Sequence, residues 1–106
     1  MKSVAIALAA ATMFTWGLAA RAADPGEELA KNSGCLACHT VDKKLIGPAY
    51  KDIASKYRGD KAAPAALAKK VKEGGKGVWG DIPMTPNAHV KDADINTIVT
   101  WILSLK

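Results

Sequence analysis

Two cysteines three positions apart, with a histidine directly after the second, constrain this chain more than any other feature. They stand in the segment Cys35-Leu36-Ala37-Cys38-His39. This pattern is typical of covalent haem attachment, in which each thiol adds to one porphyrin vinyl group and the histidine offers a ring nitrogen to the iron. Two intervening residues let a single turn of chain reach both vinyl groups. We therefore predict a fold built around one haem c, joined to Cys35 and Cys38, with His39 as an iron ligand.

The same two cysteines are compatible with three other kinds of site. A C-x-x-C pair also occurs as a thiol–disulfide redox motif, but that motif usually begins a helix in a βαβ setting, and the sequence shows no convincing strands. Half of a zinc site is a second alternative, although the only other histidine is His89 and there is no third cysteine. A structural disulfide between Cys35 and Cys38 would close a very short loop and stabilise the fold little.

The first 22 residues have the character of a secretory signal peptide. Lys2 is followed by an apolar run over 4–20 and then by small residues around Arg21. We expect cleavage after Ala22, with Ala23 as the second choice, so that residues 23–106 form the mature domain. An uncleaved membrane anchor is the alternative, since the run approaches the length that spans a bilayer. Export predicts a periplasmic protein, in an oxidising compartment, with no stable membrane insertion after cleavage.

Charge and size limit the functions open to the mature domain. Without Lys2 and Arg21, the 15 basic residues fall to 13 against 10 acidic ones, a net charge of +3 that two haem propionates would bring near +1. The basic residues carry no aromatic interleaving, so we predict no nucleic-acid binding. So small a domain, poor in large apolar side chains, often needs a cross-link or cofactor to complete its core. A buried porphyrin would supply one.

The two ends of the mature chain carry the clearest helix signals. Asp24 can cap a first helix, Pro25 suits its first turn and Glu27 completes a capping box. The last helix begins at Asp92 or Asp94. Its apolar residues recur at helical spacing and predict packing against the first helix. They are Ile95, Ile98, Val99, Ile102 and Leu105, with Trp101 beside them.

Two further helices are predicted in the middle of the chain. Apolar spacing favours a short helix over 49–57, and helix formers favour another over 65–73, ended by Gly74-Gly75. Residues 76–89 have no helical period and read as an ordered loop. Loops of that length in a small domain are usually functional.

The long loop contains the best candidate for a second iron ligand. Met84 is the only methionine left once the leader is removed, and it lies in Ile82-Pro83-Met84-Thr85-Pro86. The two prolines fix backbone angles and remove amide donors, which gives a stiff segment able to hold a thioether against iron. A lone methionine is more often core filler. We predict ligation by Met84, with His89 as the competing ligand that would give a bis-histidine haem.

These motifs together resemble the class I c-type cytochromes of the short bacterial c-551 type. The similarity extends from Asp24-Pro25 to Lys106, and it rests on the attachment motif and three further segments. The resemblance implies a small all-α cytochrome c fold of about four helices wrapped around one covalently bound haem. The segments are Ile46-Gly47-Pro48-Ala49-Tyr50, Gly77-Val78-Trp79-Gly80 and Ile82-Pro83-Met84-Thr85-Pro86-Asn87.

The resemblance also implies a role for each ligand. Cys35 and Cys38 would form the thioethers, and the iron would lie between His39 and Met84. Pro48 would offer its carbonyl to the other ring nitrogen of His39, a contact that fixes the imidazole.

Three polar residues would surround the haem by the same resemblance. Trp79 would donate its indole N–H to a haem propionate, and simple core packing of the indole is compatible with that role. Asn87 would hydrogen-bond near the Met84 sulfur and orient it. Lys70 stands where some relatives carry an arginine near the propionates.

An iron held on both faces has no vacant position for a substrate, and histidine–methionine ligation favours the ferrous form. We therefore expect an electron carrier and not an enzyme. The alternative is a haem enzyme or gas sensor in which Met84 dissociates to open the iron. By analogy alone, the family suggests a quinol-oxidising complex as donor, and nitrite reductase or cytochrome c peroxidase as acceptor.

Redox partners are expected at the edge of the haem that carries the thioethers. A small apolar patch with a charged rim suits a transient encounter that buries little area. We expect a monomer that meets its partners through this patch. The resemblance places Leu36, Ile46 and Ile82 in the patch, and the surrounding lysines are Lys31, Lys43, Lys44 and Lys76.

Overall fold

The computed structural model describes residues 9–13 and 24–106. Within them the chain forms four α-helices and one 3₁₀ turn, at Cys35–Ala37, and contains no β-strand. The expected all-α fold of four helices is confirmed. The helices are α1 (Pro25–Asn32), α2 (Tyr50–Lys56), α3 (Ala63–Glu73) and α4 (Asp92–Ser104).

Helix α1 begins at the residues that its capping signals predict. The Asp24 carboxylate accepts a hydrogen bond from the Gly26 amide at 2.8 Å, and Pro25 occupies the first turn. The expected capping box is wrong in detail, because the cap bond goes to Gly26 and not to the amide of Glu27, whose side chain is exposed. The helix ends before Gly34, whose φ of +82° is readily adopted by glycine.

Helices α1 and α4 cross in close contact at Gly26. A Cβ atom at this position would collide with the Trp101 side chain and lie 2.7 Å from the carbonyl oxygen of Thr97. The missing side chain therefore allows the two helix backbones to approach. The predicted packing of the last helix on the first is confirmed.

Helix α4 is the centre of the core, since it contacts α1, α2 and α3. The four members of its apolar stripe that lie within the helix are all buried, and Leu105, just beyond its end, is half-buried. The buried residues form two clusters along this helix. The first contains Ala30, Tyr50, Ile53, Ile98, Trp101 and Ile102, and the second contains Val90, Ile95 and Val99.

The middle helices differ slightly from their predicted bounds. Helix α2 is one residue shorter at each end than the predicted 49–57, because Ala49 keeps an extended backbone and Tyr57 is already the C-cap. Helix α3 begins at Ala63, two residues early, with Pro64 in its first turn. The connections 33–49 and 74–91 contain no α-helix, and they carry the residues of the site described below.

The predicted signal peptide, residues 1–22, lies outside the described residues except for 9–13, and its cleavage site lies outside them as well. In the part of the chain that the structure describes, no helix has the length and apolar character needed to cross a membrane.

Candidate haem site

A cavity of about 400 Å³ lies between the connections 33–49 and 74–91. Cys35, Cys38 and His39 line it from the first connection, and Met84 lines it from the second. Its volume falls in the range of small-molecule and cofactor sites. The four side chains that the sequence predicts to bind haem therefore line one cavity in the structure.

A tight turn directs the two cysteines to the cavity. The Cys35 carbonyl accepts hydrogen bonds from the amides of Cys38, at 3.2 Å, and His39, at 3.0 Å, so the chain reverses within four residues. Both thiols are free and half-buried, and they are not joined in a disulfide. Residues 9–13 and 24–106 hold no cluster of three or more His, Cys, Asp or Glu side chains.

The His39 ring is buried and held in one tautomer. Its Nδ1 lies 2.8 Å from the carbonyl oxygen of Pro48. Because a carbonyl can only accept, Nδ1 carries the proton and Nε2 keeps its lone pair. The ring also stacks on Tyr50, with centroids 5.1 Å apart and an interplanar angle of 18°. Nε2 is therefore the nitrogen that is free to bind a metal.

Gly47 closes the chain against the edge of that ring. A Cβ atom at this position would overlap the His39 ring, at 2.8 Å from Nδ1 and 3.0 Å from Nε2. The Gly47 amide donates to the Cys38 carbonyl at 2.7 Å, which ties the loop to the attachment turn. The imidazole is thus confined by Gly47, Pro48 and Tyr50.

Two titratable groups on this side of the cavity, the Cys35 thiol and the Tyr50 hydroxyl, have raised pKa values. Burial raises the pKa of the Cys35 thiol above its ordinary value. The pKa of Tyr50 is raised as well, first by burial and then by the neighbouring Cys35. These two groups are therefore uncharged near neutral pH, which suits the flat apolar face of a porphyrin.

Met84 occupies the opposite connection and is half-buried. Its backbone forms an isolated antiparallel bridge with Gly75, at the end of α3. His89, the competing ligand, is exposed and is not among the residues that line the cavity.

Trp79 and Asn87, the polar residues predicted beside the haem, both line the same cavity. Trp79 lines it and is 43% exposed, with the Lys56 ammonium 5.6 Å from its ring centroid. Asn87 also lines it, and its side-chain amide donates to the carbonyls of Val71 and Thr85, both at 3.2 Å. Its contact near the Met84 sulfur, which the resemblance implies, stays a prediction.

The predicted apolar patch is only partly located at the cavity. Ile46 and Ile82 line the cavity and are each more than half exposed. Leu36 differs from them, because it is half-buried and packs against the first core cluster. Of the lysines, Lys44 and Lys76 line the cavity, whereas Lys31 and Lys43 are exposed without lining it.

Several residues shape the site in ways that the sequence does not predict. Gly47 was noted only within a motif, and Gly74-Gly75 only as a helix stop. The stacking of Tyr50 on His39 was not foreseen. A glycine directly before a proline, and two consecutive glycines, are signals of unusual backbone, but neither shows which side chain lies against it.

The chemistry of the donors fits a covalently attached haem. Two free thiols three residues apart, an imidazole nitrogen with a lone pair and a thioether all line one cavity. These are the groups that form thioether links to vinyl carbons and bind iron axially. His39 and Met84 would hold the metal, and Cys35 and Cys38 would hold the porphyrin.

Known proteins match most of the chain. A family model described as Cytochrome c matches residues 23–106. The chain is similar to cytochrome c-551 of Allochromatium vinosum, with 60% identity over 77 residues that cover 73% of this chain and 82% of the relative. It is 52% identical to cytochrome c-551 of Pseudomonas aeruginosa over 99 residues, which cover 93% and 91% of the two chains.

A solved structure supports the same assignment. The crystal structure of wild-type Nitrosomonas europaea cytochrome c552 is similar, with a TM-score of 0.73 and 52% sequence identity. The alignment covers 76% of this chain and 99% of that one. With two free cysteines at the attachment spacing, an oriented histidine and these relatives, the chain belongs to the cytochrome c family, as a class I c-type cytochrome that binds one haem c covalently.

Proposed function

We propose that this chain is a one-electron carrier whose haem iron is bound by His39 on one face and Met84 on the other. The proposal rests on one observation: the two connections place an imidazole and a thioether in the lining of the same cavity. One presents an imidazole whose Nδ1 is occupied by Pro48, and the other presents a half-buried thioether. The exposed position of His89, outside the cavity lining, favours Met84 as the second ligand.

The bound haem supplies a reversible one-electron change at iron, and the protein supplies ligands that stay in place. The Pro48 carbonyl and Gly47 keep the His39 ring in one orientation. The bridge to Gly75 holds the backbone of Met84. Ligands fixed in both oxidation states suit a carrier and leave no open position for a substrate, so we infer that the protein is not an enzyme.

The ligand assignment is tested with Met84→Ala. The reduced wild-type protein should show a methionine methyl resonance shifted strongly upfield by the haem ring current, and the variant should lack it and bind carbon monoxide. His89→Ala is the control and should behave as wild type. If His89→Ala loses the resonance, or if reduced wild type binds carbon monoxide at neutral pH, the carrier with two fixed ligands is the wrong assignment and the gas-binding alternative gains support.

Trp79 is proposed to donate its indole N–H to a haem propionate, since it lines the cavity while 43% of it remains exposed. Trp79→Phe keeps an aromatic ring and removes the donor. We expect the pH dependence of the reduction potential to change, because the propionate loses a partner that favours its charged form. An unchanged dependence would leave Trp79 with a packing role only.

Redox partners are proposed to dock on the apolar rim of the cavity. We define this rim as Ile46, Val78 and Ile82, which line the cavity and are each more than half exposed. Lys44 and Lys76 lie beside it in the cavity lining, so a partner with an acidic surface is the occupant that the charge favours. Leu36 is not included, because it packs on the core. We further propose that the protein acts as a monomer.

Stopped-flow electron transfer to an acidic-surfaced partner tests this docking site. Ile46→Lys should slow transfer by spoiling close approach, with little change in potential. The double variant Lys43→Glu, Lys44→Glu should lower the association rate and flatten its dependence on ionic strength. Its matched control is Lys61→Glu, Lys69→Glu, which makes the same charge change at two exposed residues that both lie outside the cavity lining, whereas Lys44 of the test variant lines the cavity. If Ile46→Lys and the Lys43, Lys44 double variant both transfer electrons at the wild-type rate at low salt, electrons leave through another face of the protein.

We also propose that residues 1–22 are removed on export and that the carrier works in the periplasm. The start of the family match at residue 23 supports this boundary. Intact-mass spectrometry of the purified protein should give residues 23–106, or 24–106, plus one haem. A mass that retains the leader would contradict the proposal.

A further inference from the structure

The backbone of Met84 is fastened to the end of helix α3. The Met84 amide donates to the Gly75 carbonyl at 2.7 Å, and the Gly75 amide donates to the Met84 carbonyl at 3.1 Å. Both backbone polar groups of Met84 are therefore used by a single residue. A bridge of this kind fixes the position and direction of the Met84 Cα–Cβ bond, from which the thioether extends.

Two glycines make this close approach possible. Gly74 has φ +74° and Gly75 has φ +145°, backbone conformations that residues with a Cβ atom rarely adopt. A Cβ atom at Gly74 would collide with the Met84 carbonyl and lie 2.9 Å from the Pro86 nitrogen. Both are backbone atoms, which cannot rotate away, so the loop itself would have to move.

The second glycine is less tightly enclosed. A Cβ atom at Gly75 would meet the Lys70 ammonium, at 2.6 Å, which is the far end of a flexible side chain and can move aside. The two positions are therefore unequal. Gly74 is closed off by the backbone of the Met84 segment, whereas Gly75 supplies the hydrogen bonds.

A second attachment lies just after the methionine. The Asn87 amide and its side-chain nitrogen both donate to the Val71 carbonyl, at 3.0 and 3.2 Å. Residues 84–87 are thus held at two points along the last turn of α3 and the glycines that follow it. By contrast, a Cβ atom at Gly77 or Gly80 would meet no atom within 4 Å.

We propose that Gly74 and Gly75 are positioning residues for Met84, which set the place of its thioether relative to the iron. The inference rests on the proposed ligation by Met84 and goes beyond it. It states that the bond between the Met84 sulfur and iron owes its strength to the two glycines at the end of α3. A neutral thioether binds iron weakly, so its occupancy depends on how well the protein pre-organises it. The paired backbone provides that pre-organisation.

The test compares Gly74→Ala with Gly59→Ala in the haem-containing protein. Gly59 has φ +81°, close to that of Gly74, but a Cβ atom there would meet nothing within 4 Å. An alanine is strained at both positions, and more so at Gly74, whose ψ is −165°. Only Gly74→Ala places a Cβ atom against the Met84 segment, so the comparison depends on the iron-ligand signals and not on stability. We expect Gly74→Ala to raise the carbon monoxide affinity of the reduced protein roughly tenfold or more, and to weaken the upfield methyl resonance. Gly59→Ala should lower only the melting temperature.

Two further measurements keep the inference testable if Gly74→Ala does not fold. Gly75→Ala brings its Cβ atom only against the flexible Lys70 side chain, but its φ of +145° strains the backbone that makes both bridge hydrogen bonds. Its gain in carbon monoxide affinity should therefore be smaller than tenfold but above that of Gly59→Ala. In the wild-type protein the Met84 amide should exchange with solvent as slowly as amides in the last turn of α3. Rapid exchange of that amide would overturn the inference.

The outcomes separate this inference from the ligation that it builds on. If wild type lacks the upfield methyl resonance, Met84 is not a ligand and both proposals fail. If wild type shows the resonance and Gly74→Ala matches Gly59→Ala in both the resonance and carbon monoxide affinity, ligation stands and the positioning role is wrong.

Discussion

Replacement of Gly47 by alanine tests how the proximal histidine is held. The new Cβ atom would lie 2.8 Å from Nδ1 of His39, whereas ordinary contact begins at 3.4 Å, so the ring must move by at least the difference, about 0.6 Å. Because the same nitrogen donates to the carbonyl of Pro48, the next residue in the chain, this motion also disturbs the 2.8 Å hydrogen bond between them.

The cost of that movement has two parts. Weakening the buried hydrogen bond costs about 1 kcal/mol, and overpacking a filled site costs about 1–3 kcal/mol. The free energy of unfolding should therefore fall by about 2–4 kcal/mol, which lowers the melting temperature of a domain of this size by roughly 10–30 °C. The reduction potential should rise, because a weaker hydrogen bond makes the imidazole a poorer donor to ferric iron.

Thermal unfolding followed by circular dichroism, together with a potentiometric titration, measures both effects on the haem-containing protein. Ile46→Ala is the neighbouring control, since its side chain is 52% exposed and its loss should change stability by less than about 0.5 kcal/mol. A Gly47→Ala protein with the wild-type melting temperature and potential would refute the argument that Gly47 confines the ring.

Three other variants test the fold. Gly26→Ala should lower stability by about 1–3 kcal/mol because of the collision with Trp101, although helix propensity alone predicts a gain of about 1 kcal/mol; the sign of the change in a denaturant melt decides between them. Lys72→Met should cost about 1–2 kcal/mol, since it removes the 2.7 Å bond to the Val90 carbonyl, whereas Lys69→Met on the exposed face of α3 should cost almost nothing in the same melt. A protein with both cysteines of the attachment motif replaced by alanine, prepared without haem, should lack a cooperative calorimetric transition, and a sharp one would show that the helices fold unaided.

Local signals predicted the helices well. Asp24, Pro25 and the apolar stripe of α4 act through their own helix, so spacing and capping are enough to locate it. The bounds of α2 and α3 shifted by one or two residues, because helix ends depend on backbone angles that several residues tolerate equally. Glu27 shows the same limit, since a competing cap bond to Gly26 leaves no capping box.

Contacts between distant segments were harder to predict. Leu36 follows a cysteine of the attachment motif and was expected in the apolar patch at the haem edge, but its side chain is half-buried and packs against the first core cluster. The bond from the Asn87 side chain to the carbonyl of Val71, sixteen residues away, was not predicted from the sequence. The packing of Leu36 and the bond from Asn87 to Val71 both depend on partners that only the tertiary fold brings close.

The connection 33–49 forms the histidine wall of the cavity, and the connection 74–91 forms the methionine wall. The contacts that hold the two walls differ in sequence separation. The histidine wall depends on the bond from Gly47 to Cys38 and on that from His39 to Pro48, each spanning nine residues. The methionine wall depends on the bridge between Met84 and Gly75, which also spans nine, but in addition on bonds from Asn87 to Val71, which span sixteen, and on the packing of Val90 against Ile95 and Val99 of α4. Short-range loops close at lower entropic cost, so the histidine wall should form earlier in folding and the methionine wall later. In reverse, the methionine wall should be the first cooperative unit to open, so partial unfolding would expose one face of the iron while the porphyrin remains attached and the histidine stays bound.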